Sequence, residues 1–509
     1  MSNITPRDKI RWATRNHFIS FFRKSFEITN PGTKLDLNWH HFAIAHALWR
    51  VERGEIKRLL ITMPPRSLKS EMVSIAWAAY LLGQNPALRV FMASYGDDLS
   101  VLLARRCREV MTSPLYLDAF PGTQLHRTAR TDLETTAMGG RYATTVGGVV
   151  TGRGGDIIIL DDPMKAEDAM SKARREAAWD WFRNTLLSRL DDKRTGAIVV
   201  IQQRLHVDDI AGRLIEEGGW EHLCLPAIAT KEESISIGPD RVHTRQVGDL
   251  LHPEREPLHV LEDLRQKMGS FNFSAQYQQA PIPVEGNLIQ PQWFKPYDTL
   301  PAGGTIVQSW DFAVEAGATN DFTVCITALV KNRSIHILDV YRRRINYPDQ
   351  RKAYIDLCLR YRARRVIIEK SANGHALRQD LKNVKVQGLQ SPIAVPPRGD
   401  KVSRISVHAA SLEAGDVFVP KDAPWLPEFL DEIRAFPSGR HDDQVDALSQ
   451  LMTAIRGRML PGGGGGDSDV QFKPWMYGEV ITSSYHGMPE PYDELGWRRV
   501  DDDPDWDGE

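Results

Sequence analysis

Cysteine is scarce in this chain: Cys107, Cys224, Cys325 and Cys358 are the only four in 509 residues. Their wide spacing argues against a zinc cluster or a disulfide framework and fits reduced, mostly buried thiols. No uninterrupted apolar stretch approaches the roughly 20 residues of a membrane span. The opening "MSNITPRDKIRWATRNHF" has no apolar core of the signal-peptide kind. A cytosolic protein with no membrane partner is expected. Charge of one sign is also lacking, because the formal net charge is −2. Bulk basicity therefore gives no argument for nucleic acid, and any DNA contact must use local patches, such as Arg342–Arg344 or Arg360, Arg362, Arg364 and Arg365. There is no internal repeat.

Glycine is missing where it would be sought first. "LLITMPPRSLKS" (59–70) reads as an apolar strand, a tight turn and a Lys69–Ser70 pair opening a helix, but Pro64, Pro65 and Leu68 replace the usual glycines. In a phosphate-binding loop the Lys reaches the β/γ-phosphates and the hydroxyl binds Mg²⁺. The flanks support that reading: a strand over 58–63, then "SEMVSIAWAAYLLG", which predicts an amphipathic helix with its N-terminus toward phosphate. Downstream, "GGDIIILDDP" (154–163) is an apolar strand closing on two carboxylates. This is the form of a Walker B element, with Asp161 holding Mg²⁺ and Asp162 placed to polarise the attacking water. "TGAIVVIQQRLHVDDIAGRL" (195–214) is a further strand ending on Gln202, Gln203 and Arg204, which can sense the γ-phosphate, and "LRVFMASYG" (88–96) adds another. Strands alternating with helices predict a parallel sheet with ligands at the carboxyl ends of its strands.

The second half carries acids instead. "GGTIVQSWDFAV" (303–314) predicts a strand ending on Asp311, followed by two strands of a meander, "DFTVCITALV" and "SIHILDVYRRRI". A helical pattern (349–362) leads into "RRVIIEKS", a strand carrying Glu369, and "GRHDDQVDALSQLMTAI" (439–455) starts a helix with Asp442, Asp443 and Asp446 in its first turns. Positions three or four apart share a helix face. Carboxylates gathered in one place repel each other and make sense chiefly as a metal cage. The order strand, later strand, C-terminal helix resembles a ribonuclease-H-like nuclease, in which two Mg²⁺ or Mn²⁺ activate water for phosphodiester hydrolysis.

An ATPase followed by such a nuclease is similar to the plan of the large terminase subunits of tailed bacteriophages. The likeness runs over roughly residues 30–457 and includes "PPRSLKS", "TGRGGDIIILDDP", "QQRLHVDDIAGRL", "LPAIA", "LHPER", "FSAQYQQAPIP", "SWDFA", "IIEKS" and "HDDQVDALS". The resemblance implies an α/β chain: a P-loop ATPase domain with a parallel sheet at 1–230, a linker region at 231–300, and a ribonuclease-H-like nuclease domain with a mixed sheet at 301–457. A Gly-rich linker and an acidic, disordered tail follow at 458–509. By position, Pro65, Arg66, Ser67, Leu68, Lys69 and Ser70 form the ATP-binding loop. Ser70 and Asp161 take its Mg²⁺, Asp162 stands where many relatives carry a catalytic Glu, and Arg153 is the arginine offered to a neighbouring subunit. Leu68 departs from the Gly–Lys–Ser ending. Trp39 and His41 in "LNWHHF" match an adenine-side element or pack a helix start. Asp311, Glu369 and Asp443 match the nuclease metal ligands, Asp442 and Asp446 support them, and Lys401 touches the DNA backbone.

The implied partners are double-stranded DNA, a portal protein, a small terminase subunit and further copies in a ring on the procapsid, in the host cytoplasm. The implied work is ATP-driven packaging and cutting of concatemeric DNA. Two alternatives share some of these residues: a DNA translocase or helicase fused to a repair nuclease, and a non-hydrolysing scaffold bridging portal and DNA. No series of helicase motifs follows the Walker B strand, and retention of both acidic sets argues against the scaffold.

Overall fold

The computed structural model describes residues 5–456, apart from 149, 151, 285–287, 314–321, 371, 382, 383, 385 and 398, and the side chains of 372–375. The glycine run and the acidic tail lie outside the described residues. The chain divides into two compact units: 1–294 with 398–416 and 433–440, and 295–397 with 417–432 and 441 onward. The segment read from sequence as a linker, 231–300, carries strands β9 (Glu233–Gly238) and β10 (Arg241–Arg245) and the helices Leu258–Met268 and Ser270–Gln276, and through Phe294 it groups with the first unit.

The first unit is built on eight strands: β1 (Arg58–Thr62), β2 (Arg89–Ser94), β3 (Leu125–Thr128), β4 (Leu133–Thr135), β5 (Gly140–Thr145), β6 (Ile157–Asp161), β7 (Ala197–Gln202) and β8 (Glu221–Cys224). They lie in the order β3-β4-β5-β2-β6-β7-β1-β8. From β5 to β8 all neighbours are parallel, and β3 and β4 add an antiparallel edge. The central strands are apolar at nearly every position because helices cover both faces. Leu59, Ile61, Ile157, Ile159, Val199 and Ile201 enter one core, and Leu60, Ile158, Leu160, Ile198 and Val200 enter the other. This is the period-two alternation of a strand applied to two buried faces.

The helix after the loop differs from the amphipathic expectation. It opens with a wide π-type stretch, Glu71–Trp77, continues as Ala78–Gln84, and is buried on all sides through Leu82. Packing against the sheet on one side and against neighbouring helices on the other removes any solvent face.

The second unit holds β11 (Lys295–Tyr297), β12 (Thr305–Asp311), β13 (Thr323–Lys331), β14 (Ser334–Arg343), β15 (Arg365–Glu369), β16 (Ile393–Val395) and β17 (Val417–Pro420). Their order is β11-β17-β14-β13-β12-β15-β16. The meander β12-β13-β14 is antiparallel, whereas β15 joins β12 in parallel, so the sheet is mixed. Trp310, Tyr354, Val366 and Ile368 centre its core. None of the four cysteines is bonded, and Cys107, Cys325 and Cys358 are buried. Among the described residues no helix is long and apolar enough to cross a membrane.

Candidate functional sites

In the first unit, the carboxyl ends of β1, β6 and β7 are level. Thr62 pairs with Gln202, and Asp161 with Ile201. The loop 63–70 leaves β1 at this edge. Arg66 and Leu68 adopt φ of 63° and 62°, the left-handed conformation that a glycine would enter without steric cost. The backbone therefore keeps the geometry of a glycine-rich loop although the glycines are gone. Leu68 tolerates this because its side chain packs against the apolar core instead of lining the loop.

Lys69 and Ser70 follow directly. Lys69 is only 6% exposed, and its Nζ lies 3.0 Å from Asp162 Oδ2. Ser70 Oγ donates to Asp161 Oδ1 at 2.9 Å, and Ser74, one helical turn later, donates to Asp161 Oδ2 at 2.6 Å. Sequence reading missed Ser74, although its place four residues after Ser70 puts it on the same helix face. Asp161 is fully buried, and burial, helped by the adjacent Asp162, pushes its carboxyl up to about 7. A divalent cation would oppose that shift. Hydroxyl and carboxylate oxygens are the donors Mg²⁺ takes, so the pair fits it. Asp162 sits at φ 41° just past the strand, with Oδ1 accepting the Gln203 backbone N–H at 3.2 Å. Gln202 and Gln203 line a small cleft with Asp162, and their side-chain carbonyls are buried with no protein donor.

Other expected residues are engaged differently. Arg204 does not face this cleft as a free sensor: its guanidinium is buried against Asp209, at 2.9 Å and 3.1 Å. Arg153 pairs with Asp132 of its own chain at 2.6 Å. Trp39 stacks on His243 at 4.3 Å beneath Arg245, and buried His41 accepts the Asn38 backbone N–H at 3.0 Å in the capping box that opens helix Trp39–Glu52. Lys401 opens the short helix Lys401–Ser406 and groups with the first unit, not with the acidic second one.

In the second unit, Asp311 ends β12 and Glu369 ends β15. Because Trp310 pairs with Ile368 in parallel register, these acids occupy neighbouring strand ends. Helix Asp443–Arg456 packs on β12, β13 and β15, and Gln450 anchors it by donating to Ser309 Oγ at 2.9 Å and the Trp310 carbonyl at 3.2 Å. Gln444 is clamped at the other end by Glu432, which accepts its backbone N–H at 2.6 Å and its side-chain amide at 2.7 Å. Asp443 and Asp446 are buried in the first turn, with His441 Nδ1 3.9 Å from Asp443 Oδ2, and Asp442 is half-buried. Topology thus gathers the acids along one strand-end edge and one helix start. Among the described residues, however, no three His, Cys, Asp or Glu side chains meet as a formed metal-holding group. The donor chemistry suits Mg²⁺ or Mn²⁺. Gln450 and Glu432, which hold the helix in place, were not legible as site residues. Arg342 is no open DNA patch, since it lies over the Phe322 ring at 3.4 Å and pairs with Glu428 and, at 3.4 Å, Glu432.

The first unit thus carries a Lys–Ser loop facing paired strand-end aspartates on a parallel sheet, and the second a mixed sheet with acids at its strand ends. Residues 308–454 match the model of the terminase RNaseH-like domain. No curated protein matches the chain. Among solved structures, the large terminase of a thermophilic bacteriophage is similar at 10% identity, over 85% of this chain and 98% of that one, with a TM-score of 0.47. The large terminase of bacteriophage HK97 is similar at 11% identity, over 86% and 98%, with a TM-score of 0.37. The large terminase nuclease from thermophilic phage G20c with bound magnesium is similar at 20% identity, over 33% and 93%, with a TM-score of 0.25.

Proposed function

We propose that the chain is the large subunit of a viral DNA-packaging terminase, hydrolysing ATP to move double-stranded DNA and cutting that DNA with a second, metal-dependent site. The observation that carries the reading is the Lys69–Ser70–Asp161–Asp162 arrangement in the same chain as a terminase RNaseH-like domain.

In the first unit the loop's backbone N–H groups and Lys69 Nζ bind the phosphates of ATP. Ser70 and Asp161 hold Mg²⁺, which neutralises phosphate charge when bound. Asp162 turns its carboxylate toward the loop, where it orients the attacking water and accepts its proton, and Gln202 and Gln203 border the same cleft. Pro65, Arg66, Ser67 and Leu68 shape the loop, and Arg153 is the candidate for reaching a neighbouring copy. In the second unit Asp311, Glu369 and Asp443 would hold Mg²⁺ or Mn²⁺, supported by Asp442 and Asp446. Such ions would supply an activated water and charge stabilisation for the leaving 3′-oxygen. The portal protein, a small terminase subunit and further copies in a ring are the partners this reading entails, with work done at the procapsid in the host cytoplasm.

The deciding experiment is packaging in vitro with purified procapsids, scored for ATP dependence and for new DNA ends. Strand displacement by the chain without packaging would favour a helicase. Absence of DNA-stimulated ATP hydrolysis would favour a scaffold.

A further inference from the structure

The first unit has a second concavity at the edge of its sheet opposite Lys69 and Asp161. Arg58 opens β1, Lys193 precedes β7, and Trp220 precedes β8, so all three stand at the amino ends of the neighbouring parallel strands β7-β1-β8. With Phe182, Arg183, Leu187, Ser188, Leu214 and Glu217 they line an open pocket of about 410 Å³.

Its floor is aromatic and apolar. Phe182 is buried, stacked on Trp179 at 5.4 Å, and meets the half-buried Trp220 at 6.3 Å. Its rim is cationic. Arg58 is held by the Lys57 and Gly196 carbonyls at 2.8 Å and 3.3 Å, whereas Arg183 and Lys193 are exposed. Among the described residues none of these three cations has a carboxylate partner. Glu217 is the single acid on the wall. Neither the nucleotide site nor the nuclease acids use this place.

We propose that this pocket docks an acidic peptide carrying one aromatic anchor, and that the occupant is the chain's own C-terminal segment, Asp501–Glu509, from a neighbouring copy or the same one. The argument is charge and ring complementarity. That segment reads "DDDPDWDGE", placing Asp501, Asp502, Asp503, Asp505, Asp507 and Glu509 around Trp506. An indole laid against the half-buried Trp220 face, over the apolar floor, buries apolar area, and the rim cations meet the flanking carboxylates. An aromatic anchor in a pocket with a charged rim is the common form of an interface hot spot. A nucleic-acid strand is the less suitable occupant, because the cationic rim is confined to Arg58, Arg183 and Lys193 around one pocket and forms no track along which a strand could run.

The test uses the full-length chain with its own segment disabled by Asp501→Lys, Asp502→Lys, Asp503→Lys and Trp506→Ala. A fluorescently labelled peptide with the native sequence of residues 498–509 is then titrated in trans by anisotropy. Saturable binding is expected, weaker at higher ionic strength. It should fall by roughly tenfold or more in the exposed-site variant Arg183→Glu/Lys193→Glu, and likewise when the peptide carries Trp506→Ala. Trp220→Ala provides the aromatic counterpart. Unchanged binding in the charge-reversed variant overturns the proposal. So does displacement of the peptide by a single-stranded oligonucleotide that binds the same residues more tightly.

Discussion

Lowering the pH should loosen the first unit through its buried histidines, and His41 sets the size of the effect. His41 sits in the first turn of helix Trp39–Glu52 with its ring 3.9 Å from that of His40, and His252 packs edge-on against His40 and His41 at 5.6 Å and 6.4 Å. Burial, then the charge of His252, drives the His41 imidazole from 6.5 down to about 4, and Arg255 acts in the same direction. His40 is lowered too, by burial first and then by His41, His252, Arg255 and Arg245. A depressed folded-state value means that the unfolded chain binds the proton first, so stability is full above 6.5 and is lost as pH falls toward the folded value. For His41 alone the complete loss is about 3 kcal/mol, and about 2 kcal/mol of it is gone by pH 5. His41→Gln removes the titration while keeping a capping-box residue at the same helix position. Hydrogen exchange of the segment 36–52, corrected for intrinsic rates at each pH, should show opening favoured about thirtyfold between pH 7.5 and pH 5 in the native chain. The dependence should be clearly shallower in His41→Gln. Equal dependence in both chains would falsify the assignment of that slope to His41.

Three further outcomes are expected. Lys69→Ala should abolish ATP hydrolysis and packaging while leaving plasmid cutting with Mg²⁺ or Mn²⁺ intact, and Asp311→Asn should do the converse, since each change touches chemistry in a different unit. Loss of cutting in a folded Lys69→Ala chain refutes the two-site reading. Leu68→Gly relieves a left-handed leucine worth roughly 1–2 kcal/mol, so calorimetric titration should find Mg·ATP binding retained or tightened; tenfold weaker binding would mean that the leucine itself shapes the phosphate cradle. Truncation at Gly462 should leave ATPase and nuclease rates within a few-fold, because an acidic segment has no place on a DNA track, and a collapse of nuclease activity in the truncated chain would contradict this.

What the sequence by itself determined is local. Apolar runs ending in polar or acidic residues located β1, β6, β7, β12 and β15, because strands with apolar residues at nearly every position read that way. The Lys69–Ser70 and Asp161–Asp162 pairs were legible for the same reason, as polar residues placed where apolar strands stop. Tertiary structure decided which polar groups meet. Arg204 carries the same charge in the sequence as any sensor arginine, yet Asp209, five residues on, holds it. Ser74 looked like one more helix residue until the helix was buried against β6 and its hydroxyl found Asp161. Pro64, Pro65 and Leu68 in place of glycines argued against a phosphate loop. The fold overrides that preference by packing the half-buried Leu68 against the core, which supports a conformation that local propensity disfavours. Period and polarity are properties of neighbouring residues, so one chain displays them. Partnership between residues tens or hundreds of positions apart depends on how strands order themselves in a sheet, and only the folded chain contains that order.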